Sequence, residues 1–252
     1  MNHWLDDSRK RPLVIGHRGA SMHAPENTLA AFRLAHAQGA DGIEFDIKRC
    51  KTGEVVIMHD ATVDRTTNGS GGVHTLSLAA LRALDAGHGE PVPTLDELFA
   101  EQGALAGPNG KPFLFNVEVT NYSTRNDGLE AAVVALIQRH NIADRVLFSS
   151  FNPWSVRKLA QLAPDIPRAI LYASDMPIFL RRVWLAPLVP HQFRHPEKDM
   201  IDAAYVQKLA QQRLRVNVWT INAREDIARM AACGVHGIIG DSPQIMREVL
   251  LG

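Results

Sequence analysis

Short apolar segments alternate with helical patterns along most of this 252-residue chain. Apolar runs that end at a polar group are typical of parallel strands buried on both faces. Eight such segments are predicted, and they begin near Leu13, Gly42, Phe113, Val146, Ala169, Leu185, Val216 and Gly237. Helices are predicted over 29–38, 95–101, 129–140, 153–162, 177–183, 203–212, 224–233 and 242–251. Thr94 and Glu97 have the spacing of a capping box at the start of the second helix.

Eight strand–helix units in a chain of this length predict a (β/α)8 TIM barrel of the α/β class. The whole chain, 1–252, is predicted to be one domain. The pattern breaks at 61–93, which is rich in Thr, Gly, Ser and Asn and has one short helical piece over 76–86. This segment is predicted to be a small insertion after the hairpin of the second strand. A doubly wound open sheet is the alternative, but no G-x-G-x-x-G or Walker A loop supports it.

The second strand and its hairpin carry two carboxylates and a histidine. Glu44 and Asp46 alternate with apolar residues, which is the two-residue period of a strand. A turn centred on 51–52 pairs Glu44 with His59 and Asp46 with Ile57, so that these side chains share a face. Two carboxylates on one face repel unless a cation lies between them or one carries a proton. The ordinary alternative is a solvated strand face, since exposed carboxylates are common.

Polar residues also follow the other predicted strands. In a TIM barrel, the carboxyl ends of the strands form the face that carries the active site. The polar residues at these ends are His17, Arg18, Glu44, Asp46, His59, Asn116, Glu118, Thr120, Ser149, Ser150, Trp219, Asn222 and Asp241. Carboxylate oxygens suit Mg²⁺, Ca²⁺ or Mn²⁺, a guanidinium offers a planar fork for phosphate, and two histidines suit acid–base work. The combination indicates metal-assisted cleavage of a phosphoester.

Each of these residues has a purely structural interpretation as well. His17 could be a buried histidine at a strand end, and Arg18 could pair with Glu26. Glu118 could be an inward-facing ion-pair partner, and Trp219 could pack in the core. The joint placement of these residues, more than any one of them, favours a functional site.

His191 and His195 have the i, i+4 spacing of a helical metal pair. They flank an irregular sequence and precede Pro196, so this segment is interpreted as a loop and not as a zinc site.

Charge and hydropathy limit the partners. Lys and Arg number 27 against 27 Asp and Glu, which excludes a basic field for nucleic acid or an anionic membrane. No run of apolar residues is long enough for a transmembrane helix, so no stable membrane insertion is expected. The first residues lack the apolar core of a signal peptide, and Cys50 and Cys233 fit a reducing compartment. A cytoplasmic protein with a small-molecule partner is predicted, and the oligomeric state is left open.

The candidate residues lie within a series of motifs. These are His17-Arg18-Gly19, Ala24-Pro25-Glu26-Asn27-Thr28, Glu44-Phe45-Asp46, His59-Asp60, Asp64-Arg65-Thr66-Thr67-Asn68-Gly69, Pro93-Thr94-Leu95, Asn116-Val117-Glu118, Ser149-Ser150-Phe151, Val218-Trp219-Thr220-Ile221-Asn222 and the run 234–241. In this order, over nearly the whole chain, they resemble the glycerophosphodiester phosphodiesterases, relatives of the phosphatidylinositol-specific phospholipase C barrels. The resemblance implies an enzyme that hydrolyses glycerophosphodiesters to sn-glycerol 3-phosphate and an alcohol.

The resemblance also implies roles for single residues. Glu44, Asp46 and Glu118 would hold one divalent cation, Mg²⁺ or Ca²⁺, with Mn²⁺ as a further candidate. His17 and His59 would be the acid–base pair, with the base role assigned to the first and the acid role to the second.

Substrate binding is implied for two further residues, Arg18 at the phosphate and Trp219 at the glycerol side of the pocket. One position departs from the family. Its members usually carry a lysine two residues after the third carboxylate, where this chain has Thr120. The missing charge could shift substrate preference, weaken phosphate binding or be offset by another residue.

Two alternative functions stay open. The first is a lysophospholipase D-type or phospholipase C-type enzyme that acts on lipids, which would need an apolar rim. The segment 176–190 is the candidate rim, although burial of an ordinary helix is the favoured interpretation of it. The second is a barrel that binds phosphodiesters and has weakened or lost catalysis.

Overall fold

Eight parallel strands form a closed barrel in the computed structural model, which describes residues 2–121 and 127–252 apart from the side chain of Asn109. The strands of the described part are β1 (Leu13–His17), β2 (Gly42–Arg49), β3 (Val55–Ile57), β4 (Leu114–Val119), β5 (Val146–Ser150), β6 (Arg168–Tyr172), β7 (Phe193–Pro196), β8 (Arg215–Val218) and β9 (Gly237–Gly240). The barrel closes because β1 pairs in parallel with both β2 and β9. Only β3 is antiparallel, as the returning strand of the β2 hairpin. The predicted TIM barrel is confirmed.

Helices surround the barrel between its strands. They are α1 (Leu29–Ala37), α2 (Leu78–Arg82), α3 (Leu95–Gln102), α4 (Leu129–His140), α5 (Pro153–Leu162), α6 (Ile178–Arg181), α7 (Ala203–Gln211), α8 (Arg224–Ala232) and α9 (Pro243–Leu251). The sequence predicts α4 and α5 with the observed bounds. The predicted capping box of α3 is confirmed, because Thr94 and Glu97 satisfy each other's backbone N–H groups.

The barrel interior is apolar at its amino end. Buried residues of six barrel strands fill it: Leu13, Ile15, Leu114, Leu147, Ala169, Phe193 and Ile239. Trp4 covers this end. Its ring meets Phe193 edge-on with centroids 6.3 Å apart, and its Nε1 donates to the Arg145 carbonyl at 2.8 Å. The polar groups therefore collect at the opposite, carboxyl end.

The hairpin of β2 and β3 has a register one residue away from the predicted one. Ile47 pairs with Ile57, and the prediction that Asp46 faces Ile57 and Glu44 faces His59 is wrong. The turn spans three residues, 51–53, because the Cys50 N–H donates to the Glu54 carbonyl and Gly53 adopts a φ of 106°. His59 lies beyond the end of β3 and reaches the site from the loop that follows.

The sixth strand of the barrel is not the predicted one. The segment from Leu185 to Pro190 contains a 3-10 turn, Ala186–Leu188, and the barrel strand is β7, which pairs with β6 and β8. Pro187 and Pro190 lack the N–H groups that a central strand needs. The interpretation of 191–195 as a loop is correspondingly wrong for 193–195.

The insertion after the hairpin packs against the hairpin around a small second core. Cys50, Val56, Met58, Val63, Val73, Leu81, Ala86 and Val92 are buried together. The predicted helical piece 76–86 is shorter in the structure, where α2 ends at Arg82. The chain turns away because the Asp85 carboxylate accepts the N–H groups of Gly87 and Gly89, at 2.7 and 3.0 Å.

Candidate active site

Three carboxylates meet where β2 and β4 lie side by side. The parallel register pairs Asp46 with Glu118 and Glu44 with Asn116. Residues two apart on a strand point to the same face, so the carboxylates of Glu44, Asp46 and Glu118 come together. One oxygen of each lies within 4.8 Å of the others, and all three side chains are buried. This acidic triad contains the three residues predicted as metal ligands.

Burial and mutual repulsion govern the protonation of Glu44. Burial, with the charges of Asp46 and Glu118, raises the pKa of Glu44 well above its ordinary value. Arg18 opposes this effect. Its backbone N–H donates to Glu44 Oε2 at 3.2 Å, and its Nε lies 3.4 Å from Asp46 Oδ2. Asn27 Nδ2 also donates to Asp46 Oδ2 at 3.0 Å. These contacts fix the positions of Glu44 and Asp46, but Arg18 compensates only part of the negative charge of the acidic triad.

The donor set of the acidic triad fits a divalent cation. Carboxylate oxygens are the ligands that Mg²⁺ and Ca²⁺ prefer. Asn116 is 1% exposed, and neither polar atom of its amide has a hydrogen-bond partner among the described residues. Its register position beside Glu44 adds an oxygen donor of the same hard character. Among the described residues, no other three His, Cys, Asp or Glu side chains lie close enough to share an ion.

His17 ends β1 and is held by Asp241, which follows β9. Its Nδ1 lies 2.6 Å from Asp241 Oδ1, which also accepts from Ser21 Oγ, and Asn222 donates to the other oxygen at 2.5 Å. Burial raises the pKa of Asp241, but the hydrogen bonds from His17, Asn222 and Ser21 outweigh it and lower the pKa. An ionised carboxylate only accepts, so Nδ1 of His17 carries a proton and its Nε2 is available for chemistry.

His59 is held in the same way at the end of a chain of ion pairs. Its Nδ1 lies 2.6 Å from Asp60 Oδ1. Arg65 bridges Asp60 and Glu26, and Glu26 also accepts from Arg18 at 2.7 Å. The hydrogen bond from Arg65 lowers the pKa of Asp60 well below its ordinary value. Burial raises the pKa of Glu26, but the two arginines outweigh it and lower the pKa to about 2. The alternating charges therefore link His59 to the arginine predicted to bind phosphate.

A tight turn after β1 aims the backbone of Arg18 at the acidic triad. Arg18 has a φ of 54° and Gly19 a φ of 87°, both in the left-handed region. A Cβ at position 19 would lie 2.7 Å from the backbone of Ala31. Only glycine allows α1 to pack this closely against the turn.

The predicted site residues surround one cavity of 440 Å³. Its lining includes His17, Arg18, Glu44, His59, Glu118 and Trp219. Asp46 does not line the cavity itself, but its carboxylate lies next to those of Glu44 and Glu118, which do. The structure therefore brings all of the predicted catalytic, phosphate-binding and metal-binding residues into one place.

Trp219 stands on the wall built from the strands opposite β2. Its Nε1 donates to the His195 carbonyl at 2.9 Å, and its ring meets Phe151 edge-on with centroids 5.5 Å apart. Asp175 and Glu197 line the same wall. The fixed indole gives the cavity a rigid apolar surface, with carboxylates beside it.

Three residues that contribute to the site had no role predicted for them. Asp241 and Asp60 orient the two histidines. Lys48 donates from Nζ to Thr120 Oγ1 at 2.6 Å and lies on the same face of β2 as the two carboxylates of that strand. The two-residue period of β2 was the available signal for Lys48, and the adjacent position in the chain was the signal for Asp60.

The fold and the site define a class of protein: a barrel enzyme that hydrolyses phosphate esters at the carboxyl ends of its strands. A model of the glycerophosphoryl diester phosphodiesterase family matches residues 17–245. A glycerophosphodiester phosphodiesterase of Caldanaerobacter subterraneus is 37% identical over 94% of this chain and 96% of its own. The chain belongs to the glycerophosphoryl diester phosphodiesterase family, and the prediction of an enzyme of this class is confirmed.

Solved structures agree with this assignment. A putative glycerophosphoryl diester phosphodiesterase from Silicibacter pomeroyi superimposes with a TM-score of 0.87, at 26% identity, over 96% of this chain and 94% of its own. A phosphodiesterase from Oleispira antarctica, in complex with the product sn-glycerol-3-phosphate, superimposes with a TM-score of 0.80. It is 29% identical and covers 95% of this chain and 96% of its own.

Proposed function

We propose that this protein hydrolyses glycerophosphodiesters to sn-glycerol 3-phosphate and an alcohol, with the help of one divalent cation. The observation that carries the proposal is the convergence on one cavity of the acidic triad, an arginine and two carboxylate-bound histidines. The Oleispira antarctica structure supports it, because the product in that structure is the one proposed here. The catalytic unit is the whole chain, 1–252, as a single domain.

The acidic triad is proposed to hold Mg²⁺ or Ca²⁺, with Mn²⁺ as an alternative. When bound, such a cation neutralises charge on phosphoryl oxygens and orients the hydroxyls of glycerol. Arg18 presents its guanidinium to the phosphate. Its contacts with Glu26 and Asp46 fix the plane of the guanidinium before substrate arrives. Trp219 packs against the glycerol carbons.

His17 is proposed to act as the general base. With Nδ1 bonded to Asp241, its Nε2 takes the proton of the nucleophile, and the ionised carboxylate stabilises the imidazolium that forms. Both the glycerol 2-hydroxyl, which would give a cyclic phosphate, and a water molecule are compatible nucleophiles.

His59 is proposed to act as the general acid. Asp60 keeps its Nδ1 protonated, so the proton delivered to the leaving alcohol comes from Nε2 as the P–O bond breaks. On the cyclic-phosphate route, one water then opens the cyclic phosphate with the roles of the two histidines reversed, which returns both to their starting protonation. When water itself is the nucleophile, solvent returns a proton to His59 and takes one from His17. A His59→Ala enzyme with full turnover would remove this role, and His74→Ala, at an exposed position in the insertion, is the matched control.

Release of sn-glycerol 3-phosphate tests the proposal. A panel of diesters with choline, ethanolamine, serine, glycerol and inositol head groups is incubated with Mg²⁺, Ca²⁺, Mn²⁺ or a chelator. We expect release that depends on the cation and stops in chelator. If the diesters bind without turnover under every cation, the protein is a binding barrel and the proposal is wrong.

A second candidate function is action on lysophospholipids, and one observation favours it. The segment 176–190 exposes four large apolar side chains, Ile178, Phe179, Trp184 and Leu188, at 45 to 59%. The expectation that this segment is an ordinarily buried helix is therefore wrong. The reason is that α6 is only four residues long: it begins after Pro177 and ends at Arg181, so it is too short to bury these side chains against the barrel.

This exposed rim lies next to the cavity, because Met176 lines the cavity and Phe179 packs in a crevice with Phe151, which lines it as well. None of the described helices is long and apolar enough to cross a membrane. Turnover of micellar lysophosphatidylcholine is compared with that of glycerophosphocholine, in the wild type and in Trp184→Ser. Faster turnover of the micellar substrate, lost in the variant, would favour this second function. Faster turnover of glycerophosphocholine by both proteins would exclude it.

A further inference from the structure

Lys48 occupies a special position on β2. It is the next inward-facing residue after Glu44 and Asp46, and it follows the last paired step of the register, Ile47 with Val119. This register sets Lys48 beside Thr120, and its Nζ donates to Thr120 Oγ1 at 2.6 Å. The same hydroxyl donates to the Ile47 carbonyl at 2.7 Å. The Thr120 hydroxyl thus accepts one hydrogen bond and donates another, and this arrangement fixes the position of the Lys48 ammonium group.

The ammonium group of Lys48 lies among the charged groups of the active site. Burial lowers the pKa of Lys48, and the negative charges of Asp46, Glu118 and Asp60 act in the opposite direction and favour the ammonium form. Two of these belong to the acidic triad, and the third orients His59. A surface lysine would share none of these neighbours.

We infer that Lys48 supplies the positive charge that balances the acidic triad and attracts the phosphodiester, and that Thr120 positions this charge. The inference rests on the proposed function and adds a residue to it. It explains the departure at Thr120: the charge has moved across the β2–β4 pair, from the position two residues after Glu118 to the position two residues after Asp46. The distance moved is one interstrand step, about 5 Å.

A count of charges shows what Lys48 contributes. The triad carries three negative charges when ionised, and Arg18 and Lys48 compensate two of them. A divalent cation then leaves the group with one net positive charge, which matches the single negative charge of a phosphodiester. Without Lys48, the same group is neutral and its attraction for the diester is weaker.

The same count predicts opposite effects on the two ligands. Removal of Lys48 leaves the triad more negative, so a divalent cation should bind more tightly. The phosphate group should bind less tightly. A side chain with a merely structural role would not shift the two affinities in opposite directions.

The experiment compares Lys48→Met, Lys48→Arg, the double variant Lys48→Thr with Thr120→Lys, and the control Lys51→Met, at an exposed position in the hairpin turn. Calorimetry gives the Kd of Mg²⁺ alone and of sn-glycerol 3-phosphate with saturating Mg²⁺. Steady-state kinetics give kcat and KM for glycerophosphocholine. We expect Lys48→Met to raise the Kd of sn-glycerol 3-phosphate about tenfold and to lower the Kd of Mg²⁺, with KM rising more than kcat falls.

The charge-exchanged double variant and Lys48→Arg should both return the two affinities toward the wild-type values, and Lys51→Met should not differ from the wild type. The inference is overturned if Lys48→Met binds sn-glycerol 3-phosphate as the wild type does. It is also overturned if folded Lys48→Arg binds it as weakly as Lys48→Met. A wild type without turnover on any diester contradicts the proposed function instead, and the binding measurements on Lys48 still decide the inference.

Discussion

Glu118→Gln should stabilise the cation-free protein and abolish its stabilisation by a cation. At a separation of at most 4.8 Å, one pair of like charges costs about 3 kcal/mol at an effective dielectric constant near 20. The pKa of Glu44 is raised by burial and by the charges of Asp46 and Glu118, so this repulsion acts in the cation-free protein. Because Arg18 and Lys48 offset part of the repulsion, we expect a net gain in the free energy of unfolding of about 1–2 kcal/mol in chelator.

The order of stabilities should reverse when a cation is added. A cation at a hundred times its Kd stabilises the wild type by about 2.7 kcal/mol, whereas the variant has lost one of three ligands. Urea unfolding followed by tryptophan fluorescence measures both conditions, and Glu225→Gln, at an exposed position on α8, is the matched control. The reasoning is refuted if Glu118→Gln is less stable than the wild type in chelator, or if both proteins gain equally from Mg²⁺, Ca²⁺ and Mn²⁺.

Three further predictions concern other parts of the molecule. Asp241→Asn removes the anionic acceptor of His17, so kcat for glycerophosphocholine should fall about a hundredfold while calorimetry shows an unchanged affinity for Mg²⁺; unchanged kcat would contradict the base role. Burial lowers the pKa of His195 to about 3, so the unfolded chain alone takes up a proton as the pH falls through 6.5, and stability is lost on acidification. The free energy of unfolding should therefore drop between pH 7 and 5 by about 2 kcal/mol less in His195→Gln than in the wild type, as measured by urea unfolding, and equal drops would refute this. Gly19→Ala places a Cβ 2.7 Å from the Ala31 backbone at a φ of 87° and should lower the free energy of unfolding by about 1–3 kcal/mol; thermal unfolding at the wild-type temperature would contradict the packing argument.

The barrel could be predicted because most of its strands are continuous apolar runs. β7 escaped prediction because it reads Phe-Arg-His-Pro, and its polar side chains become acceptable only in the folded barrel. His195 is fully buried there, and its Nε2 accepts a hydrogen bond from Nδ2 of Asn217, 22 residues away. The hairpin register was missed by one residue because the length of the turn depends on the left-handed backbone of Gly53.

The site could be predicted in part because several of its polar residues lie at or just after the ends of strands. The histidines and the arginine end or follow strands, the three carboxylates lie on β2 and β4, and the barrel topology brings these positions together. The pairing of His17 with Asp241 joins residues 224 positions apart, which no local spacing reveals. The contact of Lys48 with Thr120 depends on the parallel register of β2 and β4, which only the folded sheet defines.

The central claim is cation-dependent cleavage of glycerophosphodiesters at the acidic triad, and phosphorus NMR of glycerophosphocholine tests it most directly. The wild type with Mg²⁺ should convert the diester resonance into that of sn-glycerol 3-phosphate. The wild type in chelator and Glu44→Gln with Mg²⁺ should leave the diester intact. Equal conversion in chelator, or release of phosphocholine in place of sn-glycerol 3-phosphate, would contradict the account.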